Sequence, residues 1–241
     1  MRSIGKTDKG KKRSMNQDTF FISDMPVGIL PNLYIVADGM GGQNAGDVAS
    51  RFCVERFTEL VRVSKERTPI QVIEKAVRET NEDLIAKAKT QKELEGMGTT
   101  FVLATLMPEG YLLVANIGDS RMYLIDGHKI TQISQDHSLV AEMVRNGELS
   151  REEARFHPNK NVILRAMSTQ GVVSPDYYQV AVKPGDYALL CSDGLTDMVE
   201  EAELLKMVSE YDDVGDIAER MINTANENGG RDNITLVLLK I

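Results

Sequence analysis

Residues 36–50 read VADGMGGQNAGDVAS, and the parsing of the rest of the chain depends on this stretch. An apolar run, Tyr34-Ile35-Val36-Ala37, meets Asp38, and glycines follow at positions 39, 41, 42 and 46. Helical spacing then sets in through Val48, Phe52, Cys53, Phe57, Leu60 and Val61. Strand, glycine-rich loop and helix is also the frame of two phosphate-cradling motifs. The P-loop, G-x-x-x-x-G-K-S/T, fits the separation of Gly41 and Gly46 but finds Asp47 and Val48 where a lysine and a hydroxyl belong. The dinucleotide fingerprint, G-x-G-x-x-G, starts at Gly39 and Gly41 but meets Asn44 in place of its third glycine. It would also set Asp38 beside a pyrophosphate. Both readings fail on charge, so the aspartate itself needs an explanation.

A two-residue hairpin is the plainest one, because Asp-Gly favours tight turns. The pair occurs at 38–39, 126–127 and 193–194. Asp126-Gly127 has strand patterns on both sides, Met122 to Ile125 and Lys129 to Ile133, and is expected to be a turn. The other two follow apolar runs and precede loop and helix patterns. Asp119 in ANIGDSR (115–121), Asp232 in GGRDNI (229–234) and Asp18 in RSMNQD (13–18) also sit at strand ends. Any one of these acids alone reads as a turn or cap residue, but five in matching contexts can gather at one sheet edge. Clustered carboxylates do not stay ionised without cations. A set of hard oxygen donors suits Mg²⁺ or Mn²⁺ rather than zinc.

Around this centre, length and composition bound the rest. The chain has 241 residues, 42% of them hydrophobic, which is enough for one large domain with its own core. A net charge of −8 and the absence of Trp argue against a general nucleic-acid binder. The first 15 residues are locally basic, with Arg2, Lys6, Lys9, Lys11, Lys12 and Arg13 against Asp8 alone. Most of these read as a solvated strand edge. Cys53 and Cys191 lie in apolar surroundings and read as small buried hydrophobes of a reduced, cytoplasmic protein. No segment has the pattern of a secretory signal or a membrane span.

Strands are expected at Ser3–Gly5, Thr19–Ser23, Tyr34–Ala37, Thr100–Leu106, Tyr111–Ile117, Arg121–Ile125, Lys129–Ile133, Tyr177–Val182, Tyr187–Cys191 and Ile234–Leu239. A second helix follows the first, with Thr68 as N-cap and Pro69 at its first position. Two more are expected near 200–209 and 214–227. Residues 137–170 read as an irregular, mobile insertion. Strands in adjacent runs with paired helices between them indicate largely antiparallel sheet with helices packed outside.

The ordered set RSMNQD (13–18), VADGMGG (36–42), GTT (98–100), ANIGDSR (115–121), QDHS (135–138), CSDGLTD (191–197) and GGRDNIT (229–235) resembles the metal-dependent Ser/Thr protein phosphatases of the PPM family, also called protein phosphatase type 2C, in their compact bacterial form. The resemblance runs essentially end to end. It implies an α+β fold, a four-layer α-β-β-α sandwich with two central antiparallel β-sheets flanked by helices. It implies one catalytic domain over residues 1–241, with residues 143–168 as a mobile flap. Carried onto this sequence, it makes Asp38 the bridge between two metals, with the Gly39 carbonyl as a further oxygen. Asp193 and Asp232 complete one metal, Asp18 lies in the shell around the other, and Asp119 belongs to a weaker third. Arg13 grips the substrate phosphate, for which a planar, permanently charged fork is suited. Asn233 supports the site by hydrogen bonding.

The implied reaction is hydrolysis of phosphoserine and phosphothreonine in proteins by a water activated between two Mn²⁺ or Mg²⁺ ions. The implied partners are phosphoproteins and a cognate bacterial Ser/Thr kinase, with neither nucleic acid nor membrane, for a cytoplasmic monomer. One position departs from the pattern. Many relatives carry His in the D-G-H-G-G segment as a candidate general acid, and here it is Met40. Water held at the site then becomes the candidate donor. His137, beside Asp136, reads as a structural hydrogen-bonding residue. The alternative to an enzyme is a catalytically silent phosphoprotein-binding domain on the same fold, which would be expected to have lost ligands.

Overall fold

The computed structural model describes residues 2–41, 45–168 and 173–241. Gly42 and Asn44 of the glycine-rich loop, and positions 169–170 of the expected insertion, lie outside the described residues. In chain order the elements are β1 (Arg2–Asp8), β2 (Asp18–Ser23), β3 (Leu33–Met40), α1 (Ala45–Val63), α2 (Pro69–Ala88), β4 (Gly98–Thr99), β5 (Phe101–Met107), β6 (Tyr111–Ile117), β7 (Arg121–Ile125) and β8 (Ile130–Gln132). There follow α3 (Leu139–Arg145), α4 (Arg151–Phe156), β9 (Met167–Ser168), β10 (Asp176–Ala181), β11 (Tyr187–Cys191), α5 (Asp193–Thr196), α6 (Glu201–Glu210), α7 (Val214–Glu227) and β12 (Ile234–Lys240).

The strands form two sheets. One has five strands in the order β1-β12-β11-β7-β8. The other has seven, in the order β10-β6-β5-β3-β4-β9, with β2 on β3. Every pairing between named strands is antiparallel. Alternation along each strand builds the layers. Tyr34 and Val36 of β3 meet Val237 and Leu239 of β12 in the space between the sheets. Leu33, Ile35 and Ala37 face the opposite way, onto Ala49, Cys53 and Phe57 of α1 and Val72 and Ile73 of α2. Leu236 and Leu238 likewise turn outward onto α6 and α7. Because both faces of the central strands are covered, they read as continuous apolar runs. The result is the expected four-layer α-β-β-α sandwich.

Several boundaries differ from the sequence expectation. The strand expected to stop at Ala37 continues through Asp38 and Gly39 to Met40, because Gly39 and Met40 pair with Thr99 and Gly98 of β4. The first strand runs the full length of β12, from Arg2↔Lys240 to Asp8↔Ile234, and forms the edge of its sheet. Of the six basic residues expected there, Arg2 and Lys6 lie on this edge strand, Lys6 pairing with Glu219 of α7, whereas Lys9, Lys11, Lys12 and Arg13 are exposed beyond its end. Thr68 and Pro69 open α2 as expected, with the Thr68 hydroxyl accepting from the Gln71 amide. Within the insertion, Ser150 and Glu153 form a reciprocal capping box at the start of α4.

Asp126-Gly127 lies in a hairpin, one position out of the expected register. Ile125 pairs with Ile130, and the Asp126 amide donates to the Lys129 carbonyl at 3.1 Å. Gly127 and His128 therefore occupy the tip, with Gly127 at a φ of +85°. The Asp126 carboxylate accepts from the amides of His128 (3.1 Å) and Lys129 (2.9 Å), which lowers its pKa. An asparagine oxygen can accept the same two bonds. Asp126→Asn is expected to leave the urea unfolding midpoint where it is, and a clear fall in that midpoint would show that the charge matters to the turn.

Candidate metal centre

The site lies where both sheets end. Asp18 opens β2 and stands directly opposite Asp38 on β3. From the other sheet, β11 ends at Cys191, and Asp193 opens the short helix α5 that follows. Asp232 and Asn233 precede β12, and Asp119 lies in the turn between β6 and β7. The five aspartates singled out from the sequence thus converge from five separate segments, and each of Asp18, Asp119, Asp193 and Asp232 acts electrostatically on Asp38.

Hydroxyls and backbone amides hold this arrangement. Across from Asp38, Thr100 replaces a ladder bond with its side chain: its Oγ1 accepts from the Asp38 amide at 2.9 Å while its own amide donates to the Asp38 carbonyl at 2.9 Å. Thr99 Oγ1 also donates to the Asp38 carbonyl at 2.9 Å. Ser192 joins the two sheets. Its Oγ donates to Asp18 Oδ2 at 2.8 Å and accepts from the Thr235 amide at 3.0 Å. Asn233 ties the N-terminal loop to the site, donating from Nδ2 to the carbonyls of Lys9 and Met15 and accepting at Oδ1 from the Gln17 amide, all at 2.9 Å. Sequence reading missed Ser192 and left the GTT motif without a role. Both lie inside quoted motifs, but nothing in the sequence says which backbone group a hydroxyl will meet.

Two glycines are fixed by close backbone approach. A Cβ on Gly39 would lie 2.0 Å from the Gly46 carbonyl oxygen and 2.5 Å from that of Gln17. A Cβ on Gly194 would lie 2.0 Å from the Asn233 carbonyl oxygen. The Asp-Gly pairs at 38 and 193 therefore owe their glycines to packing around the aspartate, whereas Gly127 serves a turn.

The electrostatics are those of crowded acids. Burial pushes the Asp18 carboxyl up to about 6, against hydrogen bonds from Thr235 and Ser192, and the Asp232 charge adds to the rise. Burial first and then the Asp136 charge push Asp119 up to about 6. Burial and the neighbouring carboxylates drive Asp38 and Asp193 well above the usual range. Oδ1 of Asp18 and Oδ1 of Asp193 are buried without a hydrogen-bond partner. Among the described residues no three His, Cys, Asp or Glu side chains are grouped so as to hold an ion as they stand. The donor set nonetheless fits divalent cations: buried oxygens without donors and carboxyls of raised pKa are what a cation would satisfy. Arg13 supplies positive charge, with Nη2 donating to Asp232 Oδ2 at 2.6 Å from a half-exposed side chain.

His137 is a structural hydrogen-bonding residue, as expected, although its partner is not the adjacent Asp136. Arg121 takes Asp136 with Nε and Nη2, and His137 Nε2 faces Asp176 Oδ2 at 3.0 Å. Its Nδ1 accepts from the Gly118 amide at 3.0 Å. Met40 lies within β3 and offers no proton. Cys53 and Cys191 are buried, unpaired and in different core clusters, and burial raises both thiols, Cys191 to about 12.

Residues 7–238 match the family model described as protein phosphatase 2C. The serine/threonine phosphatase stp of Listeria monocytogenes is 39% identical over 98% of this chain and 94% of its own length. The crystal structure of the serine/threonine phosphatase Stp1 from Staphylococcus aureus superposes with a TM-score of 0.91 at 34% identity, covering 99% of this chain and 94% of that one. The catalytic domain of the serine/threonine protein phosphatase PstP, solved with two manganese ions, gives a TM-score of 0.84 at 33% identity over 98% and 96% of the two chains.

The raised carboxyls fix a pH dependence. They hold protons more tightly folded than unfolded, where the carboxylate pKa is about 4. The contribution of Asp18 and Asp119 to the stability of chelated protein is full below about pH 4 and is lost as pH rises through about 6, and that of Asp38 and Asp193 is lost in the same direction. Chelated protein is therefore expected to melt at a lower temperature at pH 7.5 than at pH 5, with Mn²⁺ restoring more at the higher pH. Asp18→Asn should flatten the slope. Scanning calorimetry of both proteins decides it, and identical slopes would remove Asp18 from the effect.

Proposed function

The chain belongs to the protein phosphatase 2C family, and from that premise we propose that the Asp18, Asp38, Asp119, Asp193 and Asp232 group is the metal centre at which it hydrolyses phosphoserine and phosphothreonine in proteins. It is a metal-dependent protein serine/threonine phosphatase. The observation that carries the site assignment is the pair of buried, partnerless oxygens on Asp18 and Asp193, both acting on Asp38 among carboxyls of raised pKa. We take the cations to be Mn²⁺ or Mg²⁺, two per subunit, with a weaker third at Asp119. Asp38, the Gly39 carbonyl, Asp193 and Asp232 would hold them, with Asp18 in the surrounding shell.

When bound, the divalent cations supply Lewis-acid charge that brings the pKa of a water toward neutrality and offsets negative charge on the phosphoryl oxygens. The residues of the chain do the rest. The backbone of Asp38 is fixed at its amide by Thr100 and at its carbonyl by Thr99. Arg13 uses one guanidinium nitrogen on Asp232 and turns further N–H donors to the substrate phosphate. Asn233 holds the Arg13 loop against the site through Lys9 and Met15. Both ring nitrogens of His137 are engaged, so the leaving alkoxide takes its proton from water rather than from His137 or Met40. No thiol attacks phosphorus, because both cysteines are buried with raised pKa.

We read residues 1–241 as one catalytic domain and residues 143–168 as its flap. The flap reading is supported by α4, which buries no side chain, and by Phe156, 83% exposed. The segment reaches the metal end through Lys160 on Asp197 and Arg155 on the Thr196 carbonyl. Among the described residues no helix is long and apolar enough to cross a membrane. A cytoplasmic monomer opposing a cognate Ser/Thr kinase completes the proposal. A silent binding domain is not favoured, since all five carboxylates are present.

With a phosphothreonine peptide, hydrolysis is expected to require Mn²⁺ or Mg²⁺ and to vanish after exhaustive chelation. Asp38→Asn and Asp193→Asn should each lower kcat by orders of magnitude and weaken Mn²⁺ binding, while Asp126→Asn retains parent activity. Comparable losses in all three would detach the site from Asp38 and Asp193. Arg13→Ala should depress kcat/KM for the peptide by about 10–100-fold, the scale of one or two charge-assisted hydrogen bonds, with Mn²⁺ affinity little changed. An unaltered kcat/KM would take Arg13 out of phosphate binding.

A further inference from the structure

We propose that His137 is a positioning residue that fixes the Asp119 carboxylate through the backbone of Gly118. The inference rests on Asp119 being a ligand of the weaker third ion. His137 is only 6% exposed, and its ring is bonded at both ends. Nδ1 accepts from the Gly118 amide at 3.0 Å, so the ring proton sits on Nε2 and points to Asp176 Oδ2, also at 3.0 Å. The His137 amide returns a bond to the Gly118 carbonyl at 3.0 Å. Gly118 is thus gripped through both its amide and its carbonyl by one residue. Asn116 Nδ2 adds a bond to the same carbonyl at 3.2 Å.

This grip matters because Gly118 has no latitude of its own. Its φ is +105°, and a Cβ there would lie 2.7 Å from the Thr100 side chain. On the far side of Asp119, Ser120 Oγ is bonded to Thr100 Oγ1 at 2.7 Å, the same hydroxyl that receives the Asp38 amide. Asp119 is therefore suspended between two clamps, His137 on one neighbour and Thr100 on the other. Only the second is shared with Asp38, so loss of the first should loosen Asp119 alone. His137 also ties this turn to the insertion, since its carbonyl accepts from the Leu164 amide at 2.7 Å and Asp176 takes Arg165 at 2.6 Å.

Two substitutions separate the ends of the ring. Asn places its oxygen near the position of Nδ1 and can accept from Gly118, whereas Gln places its amide nitrogen near Nε2 and can reach only Asp176. The experiment compares parent, His137→Asn, His137→Gln and Asp119→Ala. It reads amide exchange at Gly118 in chelated protein, the number and affinity of bound Mn²⁺, and the unfolding midpoint. His137→Asn is expected to keep Gly118 protected and to bind the parent number of ions. His137→Gln is expected to lose that protection and to weaken the third ion by about 10–100-fold, the usual effect of removing a group that orients a metal ligand, while the first two ions stay unchanged. Asp119→Ala should lose the third ion outright. If it does not, the ligand reading of Asp119 fails. If it does, and His137→Gln matches His137→Asn in exchange and affinity, the positioning role of His137 is wrong. Should His137→Gln not fold, the parent decides: on titration with Mg²⁺ the Gly118 amide and His137 ring nitrogen resonances should shift with the weakest binding step, and their indifference to it overturns the proposal.

Discussion

Like charges brought together in a buried place set the terms for this molecule. Asp18 and Asp38 face each other across a strand pair, and Asp119, Asp193 and Asp232 close in from three other segments. Burial first, and then the neighbouring charges, raise the carboxyls of Asp18, Asp38, Asp119 and Asp193. An arrangement of this kind persists only where the backbone leaves the carboxylates nowhere else to go. The hydroxyls of Thr99, Thr100 and Ser192 do that by holding backbone and carboxylate in place without adding positive charge. Without a counter-charge such a grouping is unfavourable for the protein alone.

The sandwich explains why such a site can be built at all. Each sheet is covered on one face by helices and on the other by its partner sheet, so its strand ends are rigidly placed relative to one another. Ser192 sits at the seam, with one bond to Asp18 of the seven-stranded sheet and another to Thr235 of the five-stranded one. The close contacts at Gly39 and Gly194 bring α1 and α5 onto the same end. The carboxylates stand on strand ends, and on the turns joined to them, whose spacing is set by the hydrophobic cores.

Against that rigid base, the segment from α3 to α4 is built differently. It buries only Val140, and its ties at α4 are polar, Arg155 to Thr196 and Glu200, with Lys160 to Asp197 just beyond. Exposed ion pairs of this kind contribute little each and are weakened by salt. Position there is set by a few replaceable contacts, while position at the carboxylates is set by the cores.

The sequence alone determined the architecture and the ligand candidates. Apolar runs ending in aspartate, three of them carrying glycine, marked the strand ends, and the ordered motifs placed Arg13, Asp18, Asp38, Gly39, Asp119, Asp193, Asp232 and Asn233 at one site. Tertiary structure decided what each residue touches. It carried β3 past Asp38 to Met40, because β4 was there to pair with it. It gave His137 to Gly118 and Asp176 rather than to the adjacent Asp136, which Arg121 had taken. It showed Ser192 joining the sheets and Gly39 packed against Gly46. The physical reason is range. Periodicity and turn chemistry are local and are written in neighbouring residues, whereas a hydrogen bond between residues 18 and 192 exists only after two sheets have closed on one another.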